Sequence, residues 1–163
     1  MIWSHEGPLG TFRLALPGDK DWRVSIYENE EDVFAVGLLP AGDEWRLTVQ
    51  VIRSEKWEVS SLEDLERVQD GVLLGLQDVL RPMKVLERKS AADARGVLAD
   101  AVIRGRSSEG DVMQRRRILV PHPPSPLFML TASSPAERFL VHRRTFEQTF
   151  ESFVMDKMEK GER

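Results

Sequence analysis

The feature that most constrains the fold is a series of short apolar segments separated by turn residues. Trp45–Ile52 is the clearest of them. Every second residue from Trp45 to Val51 is apolar and the residues between are polar, which is typical of a strand with one buried face. Seven other segments have the length and composition of strands, at 11–16, 22–27, 33–39, 84–88, 96–104, 112–120 and 127–132. Short turns join most of them, so we predict an α+β protein with an antiparallel sheet meander of about seven to eight strands.

Two further segments predict the main helices that pack on this sheet. The first begins at Ser61, which is followed three residues later by the carboxylate of Asp64 in a capping-box pattern, and it ends before Pro82. Gly71 and Gly75 lie inside this helix, where each costs about 1 kcal/mol relative to alanine. We interpret them as positions of close packing against the sheet.

The second helix has the stronger signal. Ser134 is predicted as its N-cap, with Pro135 at the first helical position. Four phenylalanines then form one apolar stripe: Phe139, Phe146, Phe150 and Phe153. We expect this stripe to be buried, Trp22 and Trp45 to belong to the core, and His142 to pack at one edge of the stripe.

Length and composition limit the kind of protein. The 163 residues are predicted to form one domain, 1–163, with flexible tails at 1–8 and 156–163. A net charge of −4 gives no overall affinity for nucleic acid. The absence of cysteine excludes disulfides and thiolate chemistry and suits a reducing cytoplasm. There is no signal-peptide pattern and no apolar run of about 20 residues, so we expect a cytoplasmic protein that does not insert into a membrane.

Motifs for catalysis are missing from the sequence. The histidines, at positions 5, 122 and 142, have no metal-binding spacing. There is neither a nucleophile elbow nor a phosphate-binding loop. The acidic pairs fall in a loop and at a helix start, where solvation and the helix dipole explain them. We therefore predict a protein that is not an enzyme and that binds no metal or cofactor.

An exposed aromatic residue is the first candidate for binding a partner. Trp57 is flanked by charged residues shortly after the strand that ends at Ile52, and exposed aromatic residues often anchor interfaces. Trp57 and Ile52 are therefore predicted to contact a partner. The alternative for Trp57 is packing over the end of the first helix.

A run of three arginines is the second candidate. Alternation along a strand sends Arg115 and Arg117 to one face and Arg116 to the other. The functional interpretation is that Arg115 and Arg117 bind an anion or an acidic partner. The alternative is an exposed strand whose arginines pair with nearby acids and whose charges deter edge pairing.

Several short segments carry a resemblance to a known family. They are the strand Leu127–Ala132, the helix start Ser134–Glu137 and the helix end Phe146–Phe153. Together they resemble the end of PsbP/DcrB-type domains. Near the N-terminus, Leu16-Pro17-Gly18 followed by Asp21-Trp22 is similar to the opening of those domains. The chain departs from the family in a longer insertion at 28–43 and in the proline-rich segment 121–126.

The resemblance implies a fold without an active site, in a family whose members of known role are adaptors. One bacterial branch, the Eag chaperones of type VI secretion, cradles apolar transmembrane segments of effectors before export. By this resemblance the chain is a protein-binding adaptor or chaperone, with an effector bearing apolar N-terminal helices as its partner. The chaperone hypothesis predicts an open, apolar sheet face and a homodimer. The alternative is a small-molecule carrier with a pocket between sheet and helices.

Overall fold

The computed structural model of the chain describes residues 2–7, 10–18, 21–28, 33–40, 45–52, 58–121, 123 and 127–155. The strands before the first helix are β1 (Ile2–Gly7), β2 (Gly10–Ala15), β3 (Trp22–Glu28), β4 (Val33–Pro40) and β5 (Arg46–Ile52). The helix α1 (Leu62–Leu76) is followed by β6 (Met83–Asp93), β7 (Gly96–Ser107), β8 (Gly110–Val120) and β9 (Leu127–Pro135). A 3-10 turn (Ala136–Arg138) leads into α2 (Phe139–Glu151), and β10 (Val154–Met155) comes after it.

The strands form two antiparallel sheets. The larger has the strand order β3-β4-β5-β9-β8-β7-β6, and the smaller has the order β1-β2-β10. The predicted α+β class, antiparallel sheet and two main helices are confirmed. The single meander is corrected to two, β3-β4-β5 and β6-β7-β8-β9, which the pairing of β5 with β9 joins into one sheet.

One face of the large sheet is covered by α2 and by the small sheet. The four predicted phenylalanines are all buried, and Phe12 of β2 joins them in the same core. Trp45 is also buried. It lies edge-on to the half-buried Trp22, with 5.3 Å between the ring centroids. The ring centroid of His142 lies 6.2 Å from that of Trp45 and 6.0 Å from that of Phe146. Its predicted place at the edge of the stripe is therefore confirmed.

The helix α1 lies on the opposite face, over β6 and β7. The Ser61 hydroxyl accepts a hydrogen bond from the N–H of Asp64 at 3.2 Å, which confirms the predicted start. Leu65 belongs to one apolar cluster with Val97, and Leu73 belongs to another with Ile103. Since these partners follow one another along β7, the helix runs in the direction of that strand.

Three segments differ from the expectations. Ser134 is a buried strand residue rather than a helix N-cap, because β9 stays paired with β8 as far as Pro135. Ile2–Gly7, expected in a flexible tail, forms β1 and pairs with β2 over its whole length. The strand expected at 84–88 is 11 residues long, because β6 stays paired with β7 up to the turn before Gly96. Residues 156–163, 29–32, 41–44, 122 and 124–126 lie outside the described residues.

Candidate partner-binding surface

The predicted partner-binding residues lie in different settings. Trp57 is outside the described residues. Ile52 ends β5, where its backbone pairs with that of Leu127 in β9. Arg115 and Arg117 lie together on the face of β8 that α2 covers, and they are only 7% and 4% exposed. The structure thus brings the two arginines together, away from the end of β5.

Asp100 of β7 pairs with both buried arginines. Its carboxylate accepts hydrogen bonds from Arg117 at 2.8 and 3.0 Å and from Arg115 at 3.1 Å. Burial by itself would raise the pKa of Asp100, but the hydrogen bond from Arg117 and the charges of both arginines outweigh it and lower that pKa. The expected pairing of these arginines with an acid is confirmed. The expected exposure of the strand is wrong, because α2 packs over it.

Further ion pairs connect this cluster to α2. Glu151 of α2 accepts a hydrogen bond from Arg117 at 2.9 Å and also binds Arg95. Arg143 of α2 binds Glu87 of β6 at 2.6 Å. Because these charges have partners within the chain, we interpret the network as an attachment of α2 to the sheet. Partner binding by Arg115 and Arg117 stays a prediction.

A groove of about 560 Å³ runs along one flank of α1. The described residues that line it are Glu58, Asp64, Arg67, Val68, Gly71, Val72 and Gly75. A Cβ atom added to Gly71 or Gly75 would meet no described atom within 4 Å. The interpretation that these glycines pack closely against the sheet is therefore wrong, and their missing side chains leave space in the groove.

The groove lies on the flank of α1 that faces away from β6. On the other flank, Arg88 of β6 binds Gln69 and Asp70, and Ser90 of β6 donates to Glu66 at 2.6 Å. Successive helical residues are about 100° apart, which places residues 68, 71, 72 and 75 opposite those contacts. The groove therefore opens toward the half of the large sheet that is formed by β8, β9 and β5.

Part of this half of the sheet is polar on the α1 side, and we call that part the polar strip. The register of the three strands places these side chains on it: Arg46, Thr48, Gln50, Gln114, Arg116, Thr131 and Ser133. All seven are exposed or partly exposed. The seven side chains of the polar strip thus offer hydroxyl, amide and guanidinium groups.

Sequence reasoning did not single out the polar strip, although a signal for it exists. Polar residues alternate with apolar ones in 46–50 and 131–133, which marks one face of each of these two strands, whereas residues 114–116 are all polar. The polar residues of the three strands form one surface only because β9 lies between β5 and β8. That neighbour relation was not predicted.

Replacing either groove glycine by alanine is expected to stabilise the fold. Alanine gains about 1 kcal/mol over glycine inside a helix, and the added methyl group meets no described atom. Urea unfolding of Gly71→Ala and Gly75→Ala measures this gain. Gly105→Ala is the control, because its Cβ would lie 2.7 Å from the Cβ of Leu80, and we expect it to destabilise. A destabilised Gly71→Ala would contradict the open groove.

The fold described here is that of PsbP-like proteins. CyanoP, the cyanobacterial PsbP from Synechocystis sp. PCC 6803, superposes with a TM-score of 0.70 at 10% identity, over 95% of this chain and 92% of that chain. PA94 of Pseudomonas aeruginosa superposes with a TM-score of 0.59 at 12% identity, over 96% of this chain and 99% of that chain. The Saccharomyces cerevisiae Ran-binding protein Mog1p superposes with a TM-score of 0.58 at 8% identity, over 94% of this chain and 95% of that chain. At these identities the likeness concerns the fold alone. The sequence matches no family model and no curated protein.

The described residues also lack the features of two other classes of site. None of the described helices has the length and apolar character needed to cross a membrane. The same residues hold no group of three or more histidine, cysteine, aspartate or glutamate side chains arranged to bind a metal ion.

Proposed function

We propose that the chain is a non-catalytic protein-binding adaptor that holds a segment of its partner in the groove along α1. The observation that carries this proposal is the groove itself, which is left open by Gly71 and Gly75 on the helix flank that faces the polar strip. The fold supports it as well, since Mog1p, a Ran-binding protein, shares that fold.

The groove suits a polypeptide segment. Its floor offers the half-buried side chains of Val68 and Val72 and the bare backbone at the two glycines, so a partner can approach the helix closely. Two of the charges on its rim are already paired, because Arg67 binds Glu63 at 2.8 Å and Asp64 accepts hydrogen bonds from Ser60. Apolar contact in the groove therefore requires no new partner for these rim charges.

A photo-crosslinking amino acid at Gly75 tests the proposal in the native host. We expect it to yield a discrete protein adduct, whereas the same amino acid at the exposed Leu74, on the outer side of the helix, should not. The variant Gly71→Gln, which fills the groove, is expected to reduce recovery of the adduct partner at least about tenfold, the loss from about 1.4 kcal/mol of binding free energy. Leu74→Gln is the matched control and should retain the partner.

The outcomes separate the alternatives. Equal adducts from positions 75 and 74, or full recovery with Gly71→Gln, would contradict the groove as the binding site. An adduct partner with apolar N-terminal helices would extend the proposal to an effector chaperone, and a partner without them would leave an adaptor. A co-purified small molecule that is lost in Gly71→Gln, with no protein adduct, would favour the carrier hypothesis instead.

A further inference from the structure

Arg116 is a cation that the rest of the described chain does not neutralise. It lies on the polar strip with its side chain partly exposed, and among the described residues it makes one side-chain hydrogen bond, which it donates to the side-chain oxygen of Gln114 at 2.9 Å. Burial lowers the pKa of Arg116 to about 10, so it stays charged at neutral pH. Among the described residues, no carboxylate lies within ion-pair distance of it, whereas its neighbours Arg115 and Arg117 both bind Asp100.

The guanidinium group of Arg116 keeps unused hydrogen-bond donors. A guanidinium group has five N–H donors in a planar fork that matches a carboxylate. Arg116 uses one of its two terminal nitrogens for Gln114. The remaining donors have no acceptor among the described residues and are available to a group from another molecule.

The surroundings of Arg116 define what that group can be. Thr131 lies directly opposite it on β9, and Ser133 lies opposite Gln114. Thr48 of β5 is paired with Thr131 on the far side. No described residue on this face of β5, β8 or β9 is acidic, and Arg46 adds an exposed positive charge at the border. The strip is therefore complementary to negative charge.

The position of Arg116 on β8 shows where the polar strip lies relative to the groove. On this face of β8, Arg116 lies between Ile118, which clusters with Leu65, and Val112, which packs against the cluster of Leu73. Arg116 is thus beside the middle of α1, on the side to which the groove opens. One extended segment can contact both surfaces.

We propose that the polar strip binds the carboxylate side chains of an acidic segment of a partner protein, with Arg116 as the central contact. This inference rests on the proposed function, because the segment is the one held along α1. The strip extends over three strands with hydroxyl and amide groups beside the cation, which suits a row of side chains and main-chain groups. A nucleic acid would need many phosphate contacts, and the strip offers only Arg116 and Arg46.

Peptide selection on the intact chain tests the inference. Random dodecapeptides displayed on phage are selected against the wild type and, in parallel, against Arg116→Gln. We expect the wild type to enrich aspartate and glutamate, and the synthesised peptides to bind Arg116→Gln at least about 30-fold more weakly, as for one removed member of a buried charge pair. Arg144→Gln, the same charge change on the exposed side of α2, should bind them like the wild type.

Thermal unfolding of the same variants shows whether Arg116 is structural. Since no described carboxylate pairs with Arg116, Arg116→Gln should unfold at the wild-type temperature or above it. A lower unfolding temperature would overturn the inference, because it would show that the charge is already satisfied within the fold.

Other results would also overturn it. They are selected peptides without enrichment in acidic residues, or acidic peptides that bind Arg116→Gln as tightly as the wild type. Stabilisation of the wild type by inorganic phosphate or glutarate alone, lost in Arg116→Gln, would assign the strip to a small anion. Peptides blocked by Gly71→Gln but not by Arg116→Gln would keep the proposed groove and reject the acidic contact, and peptides blocked by neither would reject both.

Discussion

Replacing Asp100 by asparagine is expected to lower the free energy of unfolding by about 3–5 kcal/mol, the typical cost of removing one partner from a buried ion pair. Asp100 is 1% exposed and is the shared acceptor of Arg115 and Arg117. Without its charge, Arg115 loses its described ion-pair partner, and among the described residues Arg117 keeps only Glu151, whose side chain is 55% exposed. Urea unfolding at neutral pH measures the loss.

Asp111→Asn is the matched control for this prediction. Asp111 also accepts hydrogen bonds from two arginines, Arg104 and Arg106, but its side chain is 41% exposed. We expect its replacement to leave the unfolding midpoint nearly unchanged, because exposed ion pairs contribute little. Equal effects of the two substitutions would contradict the role that we give to burial.

The effect of Asp100→Asn should also depend on pH. Because the pKa of Asp100 is lowered in the folded chain, its contribution is fully present above the unfolded value of about 3.9 and is lost as the pH falls through the folded value. The difference in stability between the wild type and Asp100→Asn should therefore be largest near neutral pH and shrink in acid. If the wild type and Asp100→Asn differed in stability by the same amount at neutral pH and in strong acid, the charge of Asp100 would not be the source of the difference.

Gly96→Ala is expected to destabilise the fold by roughly 3–5 kcal/mol, from a strained backbone conformation and a steric overlap together. Gly96 has a φ of 113°, which L side chains rarely adopt. A Cβ atom there would lie 2.2 Å from the carbonyl oxygen of Val120 and 2.6 Å from that of Pro121. These are backbone atoms at the end of the neighbouring strand, so they cannot relieve the overlap by a change of rotamer as a side chain could.

Gly110→Ala separates the two causes. Gly110 begins the next hairpin strand with a φ of 116°, but a Cβ there would meet no described atom within 4 Å. Its replacement should cost only the strain of the conformation, about 1–3 kcal/mol. Chemical unfolding of both variants checks the difference, and a Gly110→Ala loss as large as that of Gly96→Ala would show that overlap with β8 is unimportant.

The sequence predicted those parts of the fold that depend on local periodicity. The stripe of phenylalanines, the start of α1 at Ser61 and the pairing of Arg115 and Arg117 with an acid were predicted because each follows from spacing within one element or from simple charge balance. The helix start at Ser134 was wrong, because pairing with β8 extends β9 over a local capping signal. Tertiary pairing overrode the local preference there.

Most of the candidate surface could not be predicted, since it depends on which strands are neighbours. The burial of Arg115 depends on α2 and on Asp100 of the adjacent strand. The polar strip depends on β9 lying between β5 and β8. Gly71 and Gly75 illustrate the same limit, because a glycine pair in a helix is equally compatible with close packing and with an empty groove.

The position of β9 between β5 and β8 has a consequence for the order of folding. Arg46–Ile52 finds its second partner only in Leu127–Ser133, so a large part of the chain must be looped out before the two meanders meet. During synthesis, β5 has an open edge until the C-terminal third emerges from the ribosome. A nascent chain that stalls before β9 therefore exposes the apolar residues of β5. We expect such intermediates to depend on general chaperones. We also expect the chain to fold slowly, as is typical of sheets that depend on contacts between distant segments.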